Sequence, residues 1–226
     1  MELCIFNKIE DDLCIKGILE KDNVIVLRNI IEFSETEGVT SSAIKEYVAT
    51  RLANDDNILS RLAQAGKFIG DDLYRLAKFD IEQIYKKLFS TQIKYAPSGN
   101  PIGFSNGYVA SIRAITESKS AQELLDLLIE HYRKFGSGIL AKYNAFRYDG
   151  ELIGVSNTDD ITFDSLVGIE YQKQVLIDNT KAFVSGKAAN NVLLFGDRGT
   201  GKSSSVKALL NMFCDDGLRI IEMPKH

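Results

Sequence analysis

The sequence of 226 residues has no tryptophan, three prolines, three cysteines and two histidines. Each shortage removes a class of explanation. Cys4, Cys14 and Cys214 are an odd number at spacings that match no zinc motif, so free thiols in a reducing cytoplasm are expected. His131 and His226 have no second histidine and no cysteine close by in sequence, which argues against a histidine-based metal site or catalytic triad. No run of eighteen apolar residues occurs, so no membrane span is expected. The opening residues Met1 to Lys8 lack the basic leader and apolar stretch of a signal peptide. Positive charge is not in excess either: 27 Lys and Arg against 31 Asp and Glu give a net charge of −4. A basic nucleic-acid clamp is therefore not expected. Neither a membrane nor a nucleic acid is an anticipated partner.

What is present describes a globular chain. Hydrophobic residues make up 45% and charged residues 26%, which sits on the globular average. At about 150 residues per domain, the length suits one large domain or two unequal ones.

Most of the first 140 residues carry helical signals. Val24 to Phe33 reads as a strand or a buried helix, since so short an apolar run does not decide. Ile44, Tyr47, Val48, Arg51 and Leu52 recur at three and four, and Asn54 to Asn57 supplies a stop and a new N-cap. A short helix through Ile58, Leu59, Leu62 and Ala63 should end near Gly66. Asp71 or Asp72 is expected to cap the longest helix, with Leu73, Leu76, Ala77, Ile81, Ile84, Tyr85 and Leu88 on one face. Ala96 to Gly103, holding two of the three prolines, breaks the pattern. Ser120-Ala121-Gln122-Glu123 is a capping box for a leucine-rich helix that Gly136-Ser137-Gly138 closes.

The text changes near Gly150 to Asp160, which reads as a loop-like connector. Beyond it lie a helix from about Glu170 to Val184 stopped by Gly186, an apolar strand Val192-Leu193-Leu194-Phe195, a glycine-rich turn, and a helix from Gly201 to about Phe213. A turn at Asp215-Asp216-Gly217 and a second strand, Leu218 to Met223, complete a βαβ unit. The expected fold class is α/β. Residues 1–155 form a mostly helical region, and 156–226 begin a parallel sheet of the kind that carries phosphate-binding loops.

The chemistry is concentrated in Gly196-Asp197-Arg198-Gly199-Thr200-Gly201-Lys202-Ser203, which fits G-x-x-x-x-G-K-[ST] at every fixed position. Successive backbone N–H groups must approach phosphate oxygens closely, and side chains would block them. Gly196, Gly199 and Gly201 clear that space and allow positive φ where the chain curls. The helix that follows turns its unpaired N–H groups and its dipole toward the anion. Lys202 is the candidate catalytic cation for the β and γ oxygens, and Ser203 the candidate Mg²⁺ ligand. Arg198 is either a phosphate contact or a solvated surface charge. Thr200 and Ser204 are further candidate contacts, Thr200 mainly through its amide, and the Asp197 carboxylate should point away. A guanine-reading N-K-x-D is absent, and no kinase acceptor site or lid is recognisable, so a GTPase or a P-loop kinase is the less favoured reading.

Ile161-Thr162-Phe163-Asp164-Ser165-Leu166-Val167-Gly168-Ile169 resembles the segment preceding the first helix of AAA-type ATPases. Gly168 to Gln174, Asn179 to Phe183, Asn190 to Phe195, Gly196 to Ser204 and Gly217 to Glu222 together look like a bacterial family of predicted AAA-type ATPases catalogued as a domain of unknown function. The resemblance covers roughly residues 145 to 226. It implies ATP binding, adenine contacts from Val167, Gly168 and Ile169, and a homo-oligomer acting on a protein partner. Alternatively, Leu166, Val167 and Ile169 are simply core.

An enzyme of that type also needs an acidic strand, a sensor residue, an arginine finger and a helical lid, which lie downstream of the second strand in such proteins. The expectation is a protein that continues past His226, with hydrolysis not carried by these residues alone. Leu124 to Glu130 offers acids among leucines but follows a capping box at helical period, so it reads as helix. The alternative function is a non-hydrolysing nucleotide switch or scaffold whose helical region binds a protein.

Overall fold

Capping side chains set out the N-terminal half. In the computed structural model, which describes residues 2–39, 42–91, 104–156 and 158–224, Asp12 and Asp22 each accept two first-turn amides. They open α1 (Leu13–Glu20) and α2 (Asn23–Glu37). The stretch that sequence left between strand and helix is thus helical, with Val26, Ile30, Phe33 and Ser34 buried at three- and four-residue spacing. α3 (Ala43–Ala53) follows, and Asn57 and Ser60 form a reciprocal box at the start of α4 (Ile58–Gln64).

α5 (Asp71–Ile84) is capped by Gly70 rather than by Asp71 or Asp72. Both carboxylates lie inside its first turn, where they favour the positive end of the helix dipole without bonding an amide. A π-helical turn over Tyr85–Phe89 carries it on. Ser105 opens α6 (Asn106–Thr116) and Ser120 opens α7 (Ala121–Phe135), while α8 (Ile139–Lys142) is a single turn. The Ser120 hydroxyl accepts from the Glu123 amide, and Glu123 reaches back to the amide of Lys119. Gly136, at φ 79°, ends α7. The expected break at 96–103, together with His226, lies outside the described residues.

These helices belong to one compact unit, Met1–Lys142, and Tyr143–His226 forms a second. In the first, α1 packs on α2, α3 on α6, and α7 on both α4 and α5. Ile15, Leu52, Leu59, Ile81, Ile84, Ile115 and Leu124 are fully enclosed. Asp80 is buried in this core and accepts the amides of Cys4, Ile5 and Phe6, which fastens the N-terminal segment so that Phe6 is enclosed. Buried Tyr132 donates its hydroxyl to the Leu52 carbonyl, joining α7 to α3. Among the described residues no helix is long and apolar enough to cross a membrane.

The second unit holds a small mixed sheet. β1 (Ala145–Tyr148) and β2 (Leu152–Val155) pair antiparallel, and β3 (Ile220–Glu222) lies parallel to β1 on its other side. The hairpin turns through Asp149, Gly150 and Glu151, with Gly150 at φ 78° and the Asp149 amide donating to the Glu151 carbonyl. Residues read from sequence as the end of a helical region and a connector are therefore two strands. α9 (Glu170–Val184) and α10 (Lys202–Phe213) occupy their expected spans. Phe146, Phe163, Leu176, Ala208, Leu210 and Phe213 form the buried interior of this unit.

The fold is α/β, mostly helical with a three-stranded mixed sheet, but the strand pairing differs from the expected βαβ. Val192 to Phe195 is not a strand, and β3 takes β1 as its parallel neighbour instead. The physical reason is the missing ladder: with no strand beside 192–195 among the described residues, a strand there has no hydrogen bonds to make. Val192, Leu193 and Phe195 are exposed.

Candidate phosphate-binding loop

α10 organises the site. Its N-cap is Gly201, in a left-handed conformation at φ 84°, and no side chain caps the helix. The first-turn amides of Lys202, Ser203 and Ser204 thus keep their hydrogens for an outside acceptor. Gly196 and Gly199, at φ 140° and 87°, supply the other two turns of the curl. A side chain at either position would be strained, since L residues rarely adopt such angles. A Cβ at Gly196 would also press on Thr200 Oγ1 at 3.3 Å.

Lys202 folds back across the loop. Its ammonium donates to the carbonyls of Gly196 at 2.9 Å and Asp197 at 2.7 Å, and lies 3.4 Å from Thr200 Oγ1. The Thr200 hydroxyl donates to the Asp197 carbonyl at 2.8 Å. At the base, Ser205 returns both its amide and its hydroxyl to the Gly201 carbonyl. The charge that would meet a polyphosphate is therefore positioned at the curl, held by weakly basic carbonyls that an anion can replace. Arg198 is exposed.

α10 also places the strip that leads into α9. Asn211 donates to the carbonyls of Asp159 and Ile161, and Lys207, one turn earlier, pairs with the Asp159 carboxylate. Phe163 is buried beyond this tie, and the chain then passes the loop: Leu166 Cδ2 and Ile169 Cδ1 lie 3.8 and 4.0 Å from where a Cβ on Gly201 would stand. Val167 is 88% exposed and Gly168, at φ 83°, turns the strip outward. The structure thus brings Ile169 against the loop and leaves Val167 in solvent, so Val167 is not core here.

Ser203 lines a cavity of about 530 Å³ with Asp159, Lys207, Arg147, Glu222 and Ile221. Its charges are already matched, Asp159 with Lys207 and Glu222 with Arg147. Among the described residues no group of three or more His, Cys, Asp or Glu side chains could hold a metal ion. At the far end of α10, Arg219 donates to the carbonyls of Cys214 and Leu218, and its burial lowers its pKa from the usual value. All three cysteines are free; burial, with Asp12 adding to it, pushes the Cys14 thiol up to about 12, so it is unreactive.

Two features escaped the sequence reading. The hairpin had a signal in Asp149-Gly150, a strong turn dipeptide that follows Phe146 and Tyr148 and precedes Leu152 and Ile153. Asn179, on α9, clamps the backbone of Asn190, and nothing in its local sequence announces that.

Residues 141–226 match the model of a family described as Protein of unknown function (DUF815). No curated protein and no solved structure matches the chain.

Proposed function

We propose that this protein binds ATP with Mg²⁺ through the loop Gly196 to Ser203, in the manner of an AAA-type P-loop ATPase. The observation that carries the reading is the loop itself. Three glycines at positive φ curl the chain over an uncapped helix N-terminus, with an ammonium drawn into the curl. Amide hydrogens, a mobile cation and a serine hydroxyl are together the donor set that a polyphosphate needs.

In this reading the amides of Gly199 to Ser204 grip the phosphate oxygens. Lys202 exchanges its two carbonyl partners for β and γ oxygens, and Ser203 offers its hydroxyl oxygen to the metal. Mg²⁺ supplies charge neutralisation between the phosphates when bound. Ile169, seated beside Gly201, and the turn at Gly168 give the base an apolar wall, with Val167 free to close over it. The reading further assigns a cytoplasmic homo-oligomer acting on a protein partner, which rests on the resemblance to AAA-type proteins alone.

Thermal and denaturant unfolding with and without Mg-ATP tests the claim. At ligand about 100 times Kd, stability should rise by about 2.7 kcal/mol. Lys202→Ala should abolish the rise. Ser203→Ala, which leaves the lysine bonds in place, should keep nucleotide binding and lose its dependence on Mg²⁺. An unchanged transition at saturating Mg-ATP contradicts the proposal.

A further inference from the structure

The run from Asn191 to Phe195, which delivers the chain to the loop, makes no backbone hydrogen bond of its own among the described residues. Its side chains are mostly exposed. Something else must fix where the loop begins. On its C-terminal side, Lys202 holds Gly196 and Asp197, but those bonds are the ones a bound phosphate would take away. On its N-terminal side stands Asn179 of α9. Its side-chain oxygen accepts the Asn190 amide at 2.9 Å, and its NH₂ donates to the Asn190 carbonyl at 2.9 Å. Those are the two bonds that a neighbouring strand would make to one residue.

Packing does not do this work. A cavity of about 290 Å³ lies beside the clamp, lined by Thr180 and Phe183 of α9, by Asn190, and by Val206 and Leu209 of α10. With the space between the helices unfilled there, the paired hydrogen bonds are what registers residue 190 against α9.

We infer that Asn179 is a positioning residue for nucleotide binding: it anchors the entry to the loop when Lys202 leaves the loop carbonyls for phosphate. This rests on the proposed reading of the loop. Both bonds are needed, because the acceptor alone lets the carbonyl of Asn190 swing away. An aspartate at 179 would keep the acceptor and set a carboxylate oxygen against the Asn190 carbonyl, so the donor half of the clamp is lost.

The test is Mg-ADP affinity by calorimetry for the full chain, Asn179→Ala and Asn179→Asp, at one pH near 7, with amide exchange at Asn190 followed in parallel. The expected result is affinity about tenfold below wild type for Asn179→Ala, with faster Asn190 exchange than in the wild type. Asn179→Asp, which keeps the acceptor and loses the donor, should bind no more tightly than Asn179→Ala. Wild-type affinity for Asn179→Ala overturns the inference, even if Asn179→Asp is weak, since charge repulsion alone would then explain the aspartate. Wild-type affinity for Asn179→Asp overturns it too, because the acceptor alone would then suffice. If the wild-type chain binds no Mg-ADP, the reading of the loop fails and the positioning role with it, while slow Asn190 exchange in the wild type and fast exchange in Asn179→Ala would still establish the clamp as structure.

Discussion

Asp80 is fully buried and satisfied by three backbone amides rather than by a cation. Asn at this position keeps one acceptor oxygen and turns an NH₂ toward amide hydrogens, so donors face donors in the interior. Asp80→Asn should cost about 3 kcal/mol, read as a lower urea midpoint with release of the Phe6 segment. A shift below about 0.5 kcal/mol, the size of an ordinary surface change, would show that the amides find other partners. His131 makes a pH prediction. Burial holds its pKa down at about 4, against the usual 6.5, with Nδ1 2.8 Å from the Ser111 hydroxyl and Nε2 unpartnered among the described residues. Because the folded value is depressed, the unfolded chain takes up a proton below pH 6.5 that the folded chain refuses. The stabilisation is complete above 6.5, falls as pH drops, and is fully lost near pH 4, about 3 kcal/mol in all. His131→Gln should remove that slope between pH 6.5 and 4; an unchanged slope would mean the ring is hydrated. Of these residues, only those of the loop were legible in sequence, because fixed spacing exposes a glycine-lysine motif. Asp80 and Asn179 act on backbone across 75 and 11 residues respectively, and no local pattern encodes such a partner.

At the scale of elements, helices were legible wherever a cap met a 3.6-residue period. α9 and α10 start and stop where Gly186, Gly201 and the apolar spacing put them. Strands were legible only in part: β3 lies within the expected Leu218 to Met223, but the pairing was not readable, since a strand exists only with its neighbour. Val192 to Phe195 has strand composition and no ladder, whereas Ala145 to Tyr148 has a modest pattern and two neighbours. The hairpin depends on Gly154, opposite Phe146, because a Cβ there would collide with the Tyr143 ring. Gly154→Ala should therefore break the β1–β2 register and cost about 2 kcal/mol, as overpacking does. Loss of slow exchange at the amides of residues 145–148 and 152–155 would report it. Retained protection would mean that the tyrosine moves aside at little cost.

At the scale of the whole molecule, the chain divides into units, each with its own interior. The main hydrophobic core is drawn entirely from residues up to Ala141, so the fragment 1–142 should fold alone, with helical circular dichroism and one cooperative thermal transition. A non-cooperative melt would show that its core is insufficient. The loop belongs to the other unit, the part that matches the DUF815 family, and the account turns on what that loop holds. Amide chemical shifts in the full chain on titration with Mg-ATP read this directly. The account predicts the largest changes at Gly199, Thr200, Gly201, Lys202 and Ser203, with smaller ones at Gly168 and Ile169. Saturating Mg-ATP that leaves those amides unmoved would contradict it.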